Sequence, residues 1–183
     1  MNAPQTLNLE GRIFEKFITY AAIQRQVAEI AQTLNQRYRY EEPILMPILI
    51  GAYRFLAELL PHLQFQYLLD FVKISSYGSD MQSGAIEWEL RPSLNLQGKN
   101  IILIEDIVDT GKTLDFLIHG YLLTQKPASV IIVTLLYKPQ NNKSGIVPDI
   151  VGFNVPPDFV IGFGLDYNHQ GRSLNDLYIY KSG

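Results

Sequence analysis

The 183 residues contain no cysteine, which removes disulfides and thiolate metal sites and fits an intracellular chain. Long apolar runs are missing too. No stretch reaches the roughly 18 to 20 residues that span a bilayer, so no membrane partner is expected. Basic residues are in short supply: 15 Lys and Arg stand against 18 Asp and Glu, a net charge of −3. Without a broad basic surface, nucleic acid is not an expected partner either. The opening MNAPQTLNLEGRIF lacks the basic and then apolar blocks of a signal peptide, which gives a soluble cytoplasmic protein as the expectation. Internal repeats, low-complexity tracts and linkers are absent. A hydrophobic content of 47% is enough for one good core and rather little for two, so residues 1–183 are expected to form one domain.

The most informative stretch is Ile101 to Thr113, IILIEDIVDTGKT. Ile101 to Ile104 is a continuous apolar run, suited to a strand covered on both faces in a parallel sheet flanked by helices. Glu105 and Asp106 then leave the strand, Ile107 and Val108 stay apolar, and Asp109 to Thr113 read as a turn opening a helix. Ligands of open α/β sheets bind beyond the carboxyl ends of strands. A helix start offers free N–H groups and partial positive charge to a phosphate. Gly111 admits close approach, and Thr110 and Thr113 carry hydroxyl donors, so Asp109 to Thr113 form a candidate anion cradle. Carboxylates beside such a cradle need hydroxyls, a basic nitrogen or a metal ion, and a sugar phosphate supplies several of these. Glu105 and Asp106 could accept from two vicinal ribose hydroxyls, and Asp109 could act on a proton beside the anomeric carbon. Taken singly, the same residues allow plainer roles: Asp109 or Thr110 as a helix cap, Lys112 as a solvated first-turn side chain. Gly111-Lys112-Thr113 also matches the end of a nucleotide-triphosphate loop. That loop needs a glycine five positions earlier, where Asp106 stands.

Around this stretch the periodicities give an opening strand or arm over residues 1–18. An amphipathic helix from Thr19 follows, carrying Ile23, Val27, Ile30 and Leu34 on one face. A second apolar run, Pro43 to Ile50, leads through Gly51 into another helix, making a second candidate anion turn. Gln64 to Lys73 reads as a strand. Ser75 to Gly84 is small and polar, and Ala85 to Leu90 alternates as AIEWEL, so the segment forms a hairpin. The helix after Thr113 is expected to run to Pro127, with His119 packed or solvated. Val130 to Tyr137 is a third apolar run closed by Lys138, at the same sheet end as the acids. Leu177 to Tyr180 reads as a closing strand.

Two acids, an apolar pair and Asp-Thr-Gly-Lys-Thr together resemble the phosphoribosyl-pyrophosphate (PRPP) binding motif of type I phosphoribosyltransferases. A second segment, PDIVGFNVPPDFVIGFGLDYN from Pro148, shares the family resemblance, the hairpin tip carrying Ser76-Tyr77 resembles the lid of the hypoxanthine-guanine subgroup, and the likeness covers roughly Ile44 to Tyr180. The resemblance implies an α/β fold with a mostly parallel central sheet flanked by helices, a small hood and a flexible β-hairpin lid. It implies Mg²⁺-dependent transfer of 5-phosphoribosyl from PRPP to a 6-oxopurine, giving a purine nucleotide and pyrophosphate in purine salvage, by a homodimer or homotetramer. Asp109 to Thr113 would bind the 5′-phosphate, Glu105 and Asp106 the ribose hydroxyls, and Asp109 would also serve as general base. Lys138 would read the six-oxo group, Phe159 stack on the purine, and Val160 meet its edge. Asp166 would ligate Mg²⁺, and Arg172 with the Ile50-Gly51 loop would receive pyrophosphate. Ser76 and Tyr77 would cap the site. One departure stands out: the family usually carries a basic residue before the loop glycine, and here that residue is Ile50, with Arg54 nearby as a possible substitute. A non-catalytic PRPP- or nucleotide-sensing regulator on the same fold is the alternative.

Overall fold

The computed structural model describes residues 4–76 and 86–180. In chain order these form β1 (Thr6–Leu9), β2 (Arg12–Ile18), α1 (Tyr20–Arg37), β3 (Ile44–Leu49), α2 (Tyr53–Leu59), β4 (Leu68–Leu69), β5 (Val72–Ser76) and β6 (Ile86–Leu90). They continue with β7 (Asn100–Val108), α3 (Lys112–Gly120), β8 (Ser129–Tyr137), β9 (Ile150–Asn154), β10 (Phe159–Ile161) and β11 (Leu177–Tyr180).

The central sheet runs β6-β5-β3-β7-β8-β9, with β4 also on β3. Every pairing in it is parallel except β5 with the edge strand β6. Helices cover both faces, as the continuous apolar runs require. Leu45, Ile102, Ile104 and Val133 pack with α1 and α2. Ile44, Leu103 and Ile132 pack with Leu114 and Leu117 of α3. Pro47 sits inside β3, a central strand, where a missing N–H is normally costly. It falls at the point where β3 changes neighbour, pairing with β4 at Ile44 and Leu45 and with β5 at Ile48 and Leu49.

α1 starts as its sequence indicates. Thr19 Oγ1 accepts from the Ala22 N–H at 3.3 Å, and Ile23, Val27, Ile30 and Leu34 are all buried, each contributing about 1.5–3 kcal/mol. The expected opening arm is a full hairpin, β1 with β2, and it joins β11 and β10 in a separate antiparallel sheet ordered β1-β2-β11-β10. This is the hood. Phe14, Ile161 and Tyr178 form its buried centre.

Three expectations need correction. The 64–73 strand is two short strands, because the buried Asp70 carboxylate accepts from the N–H groups of Phe71, Ser93 and Leu94 at 2.7–2.9 Å and turns the chain between them. The helix after Gly111 stops at Gly120, well before Pro127. Glycine is a poor helix former, and the chain continues as a 3₁₀ turn over Leu122–Gln125. Glu105 and Asp106 do not leave the strand: β7 continues to Val108, held by β8 through Ile107↔Leu136 and Val108↔Tyr137.

Candidate active site

β3, β7 and β8 end side by side, and the chain leaves β3 and β7 toward opposite edges of the sheet, the arrangement that opens a crevice at strand termini. A cleft of about 290 Å³ lies there. Its lining includes Gly51, Glu105, Asp106, Asp109 and Thr113 together with Lys138, Phe159, Val160, Asp166 and Arg172. Residues widely separated in sequence therefore share one small space, with Asp109, Lys138 and Asp166 together.

A second hollow of about 90 Å³ adjoins it, lined by Glu105 and the whole turn from Asp109 through Thr110, Gly111, Lys112 and Thr113. Gly111 occupies the cap position of α3 at φ +78° and has no side chain to bond the first turn. The Thr110 hydroxyl accepts from the Lys112 N–H at 3.5 Å, while the two Asp109 oxygens accept from Lys138 and Asn141. Thr110 thus gives the helix start a long capping bond, Asp109 gives it none, and the first turn of α3 lines the hollow. Only glycine fits at 111, since a Cβ there would lie 2.1 Å from Ser144 Oγ.

Glu105 and Asp106 are both buried. Successive strand residues face opposite ways, which accounts for Glu105 lining both hollows while Asp106 lines only the larger. Burial, then the neighbouring Asp106 charge, pushes the Glu105 carboxyl well above the usual range. Burial likewise raises Asp106 to about 6, against the lowering effect of backbone N–H donors and of Arg172. Asp106 also explains Gly51: a Cβ there would stand 1.8 Å from Asp106 Oδ2. The Leu49–Ile50 peptide just before it is cis.

The buried Lys138 pairs with Asp109, Nζ to Oδ2 at 2.8 Å. Asn141, which sequence reasoning missed, donates from Nδ2 to the other oxygen of Asp109 at 2.8 Å. A signal for it existed in the Lys138-Pro139-Gln140-Asn141 string: proline at the second position favours a turn, and the Asn141 N–H bonds the Lys138 carbonyl at 3.1 Å, bringing the amide back beside the lysine. Phe159 is 45% exposed whereas Val160 is buried. Asp166 Oδ1 pairs with Arg172 at 2.6 Å, Oδ2 accepts from the His169 N–H at 2.7 Å, and Arg172 also donates to the Gly164 carbonyl.

Some expected participants lie elsewhere. Arg54 does not stand in for the missing cation at position 50: it donates to Asn175, pairs with Glu58 and stacks over Phe163. Ile50 is 48% exposed and lines neither hollow. Ser76 ends β5, and Tyr77 lies outside the described residues. His119, not expected at the site, is solvated and pairs with Asp115 one helical turn away.

The family model for the phosphoribosyl transferase domain matches residues 19–168. The chain is 38% identical over 175 residues to the hypoxanthine-guanine phosphoribosyltransferase of Lactococcus lactis, covering 95% of this chain and 94% of that protein. It is 38% identical over 165 residues to the enzyme of the same name from Bacillus subtilis, covering 90% and 91%. The crystal structure of a hypoxanthine phosphoribosyltransferase from Staphylococcus aureus superposes with a TM-score of 0.86 at 32% identity, covering 91% of each chain. With the cradle, acids and lysine around one cleft, these likenesses agree on a single assignment: the chain belongs to the phosphoribosyltransferase family, in its hypoxanthine-guanine branch.

Proposed function

We propose that the chain transfers the 5-phosphoribosyl group of PRPP to a 6-oxopurine, hypoxanthine or guanine, releasing pyrophosphate and forming the purine nucleotide. The observation that carries this reading is the meeting of Asp109, Lys138 and Asp166 at one cleft beside the start of α3. The N–H groups and hydroxyls of residues 110–113 hold the 5′-phosphate. Glu105 and Asp106 take the ribose hydroxyls. Phe159 stacks on the purine and Val160 meets its edge.

In the free protein Lys138 is bound to Asp109. A purine six-oxo group entering beside it competes for the ammonium, and Lys138 turns to that oxygen as a donor. Asp109 then keeps only the Asn141 amide and has one oxygen free to accept the imidazole proton. The anomeric carbon gains positive charge as pyrophosphate leaves, and the neighbouring carboxylates stabilise that charge more than the ground state.

No group of three or more His, Cys, Asp or Glu side chains suited to a metal occurs among the described residues. Mg²⁺ keeps several waters and takes one or two carboxylates together with substrate phosphates. Asp166 at the cleft is the carboxylate for it, and the ion would supply neutralisation of the pyrophosphate charge. Arg172 and the Gly51 loop receive the departing group. We place the reaction in the cytoplasm, in residues 1–183 acting as one domain within a homodimer or homotetramer.

Mixing the protein with PRPP, Mg²⁺ and each of hypoxanthine, guanine, xanthine, adenine and uracil tests the reading. Pyrophosphate release with a 6-oxopurine is expected. PRPP binding without release for any base would replace the enzyme by a ligand sensor.

A further inference from the structure

The turn between β1 and β2 lies outside the span matched by the family, residues 19–168, yet it grips the wall of the cleft. Glu10 accepts from the side-chain amides of Asn168 at 2.7 Å and Gln170 at 3.1 Å. Those residues belong to a tight turn closed by paired backbone bonds between Tyr167 and Gln170, both 2.9 Å. Asn168 and His169 hold φ of 48° and 64° there, a left-handed conformation that a non-glycine residue adopts only at a cost. A carboxylate taking one amide from the turn's centre and another from its end braces it. Asp166 and Arg172 stand immediately on either side of this turn.

Arg12, two residues further along the hairpin, acts on the other part of the wall. The Arg12 guanidinium carbon lies 5.0 Å from the Tyr167 ring centroid and 5.3 Å from that of Tyr180. Tyr167 meets the Phe159 ring edge-on, with centroids 5.8 Å apart. Arg12 therefore anchors the ring that supports the half-exposed Phe159.

We infer that Glu10 and Arg12 are positioning residues of the site: Arg12, through Tyr167, sets the face on which the base stacks, and Glu10 sets the spacing of Asp166 and Arg172. This rests on the transferase reading above. A hairpin that only stabilised the hood would give the same pattern, chiefly a purine effect, whichever residue was changed, whereas these contacts divide between the two substrates. In the full-length protein, Arg12→Ala is expected to raise KM for hypoxanthine roughly three- to thirtyfold, the worth of a cation–π contact, while KM for PRPP stays within about twofold. Glu10→Ala is expected to do the reverse. Arg12→Lys, which keeps a cation over the ring, should recover part of the loss.

Amide hydrogen exchange without substrate gives a readout independent of turnover: Glu10→Ala should speed exchange at Tyr167 to Gln170 and leave α1 unchanged. The crossed KM pattern with faster local exchange supports the inference. Unchanged exchange, parallel movement of both KM values, or the same pattern of KM change in the two alanine variants overturns it. If the unsubstituted protein released no pyrophosphate with any base, the transferase reading would fall, and exchange at the turn alone would decide whether Glu10 holds it.

Discussion

Asp109 has two partners in the free protein, and they should be separable by substitution. Asp109→Asn removes the proton acceptor but keeps the shape, so kcat is expected to fall by about 10² to 10⁴ with little change in PRPP affinity. Equal losses in both would contradict the assigned role. Asn141→Ala leaves the carboxylate in place but takes away the donor on Oδ1. Its expected signature is a drop in kcat of about tenfold, worth roughly 1.4 kcal/mol, with KM for PRPP nearly constant in steady-state assays. Asp106 makes a different prediction, on stability. Its carboxyl moves from an ordinary 3.8 to about 6 in the folded state, so the fold binds more protons than the unfolded chain across that interval. Stability then falls as pH rises from about 4 to 6 and stays reduced above, by about 3 kcal/mol. Asp106→Asn should melt several degrees higher than the parent at pH 8, with the advantage gone near pH 4. An equal advantage at both values would mean that charge burial is not the cause. Asp109 and Lys138 could be picked out from the sequence because a motif and a strand end mark them. The sequence could not show that each would find the other, since ion-pair choice depends on distances set by the fold.

Turns and strand ends are where the site's elements were least legible. The β3 and β7 runs and the amphipathic face of α1 follow from periodicity, because burial on one or both faces imposes a pattern on the side chains. The split of β4 from β5 follows from the buried carboxylate of Asp70, whose partners Ser93 and Leu94 lie more than twenty residues on. No local pattern announces such a contact. Gly51 is similar: the sequence marks a turn, but the reason only glycine fits is the Asp106 side chain from another strand. Gly51→Ala is thus expected to destabilise by about 1–3 kcal/mol, the usual range for overpacking, and to lower kcat/KM for PRPP by at least tenfold through displacement of Asp106. Thermal melts and initial rates on the purified variant check both. A variant that matched the parent in rate would show that Asp106 can move aside without loss, and would weaken its place at the ribose.

The parallel sheet and a closing strand are legible in the apolar runs, but the way the two ends of the chain unite is not. β2 and β11 pair through contacts between residues more than 150 positions apart, and composition cannot select such a partner. Beside the apolar packing of Val160, Leu177 and Ile179 against the main core, a buried carboxylate links hood and central layer. Asp176 Oδ1 accepts the first N–H of α1, from Tyr20, at 2.7 Å, while Oδ2 pairs with Lys16 of β2 at 3.1 Å. A single carboxylate thus joins the hood strand, the α1 N-terminus and the loop before β11, and the helix start favours its negative charge. Asp176→Ala removes a charge partner and a backbone acceptor together, a loss of roughly 2–5 kcal/mol and about 5–15 °C in melting temperature for a chain of this size. Asp176→Asn keeps an acceptor for Tyr20 and gives up only the charge, so its melting point should fall between the alanine variant and the parent. Because Phe159 and Val160 stand on the hood while the phosphate cradle stands on the central sheet, loosening this junction should raise KM for the purine more than KM for PRPP. If both Asp176 variants melted like the parent, the joint between the two sheets would lie in its other contacts, the Arg54–Asn175 bond and the apolar packing, and the purine effect should vanish with it.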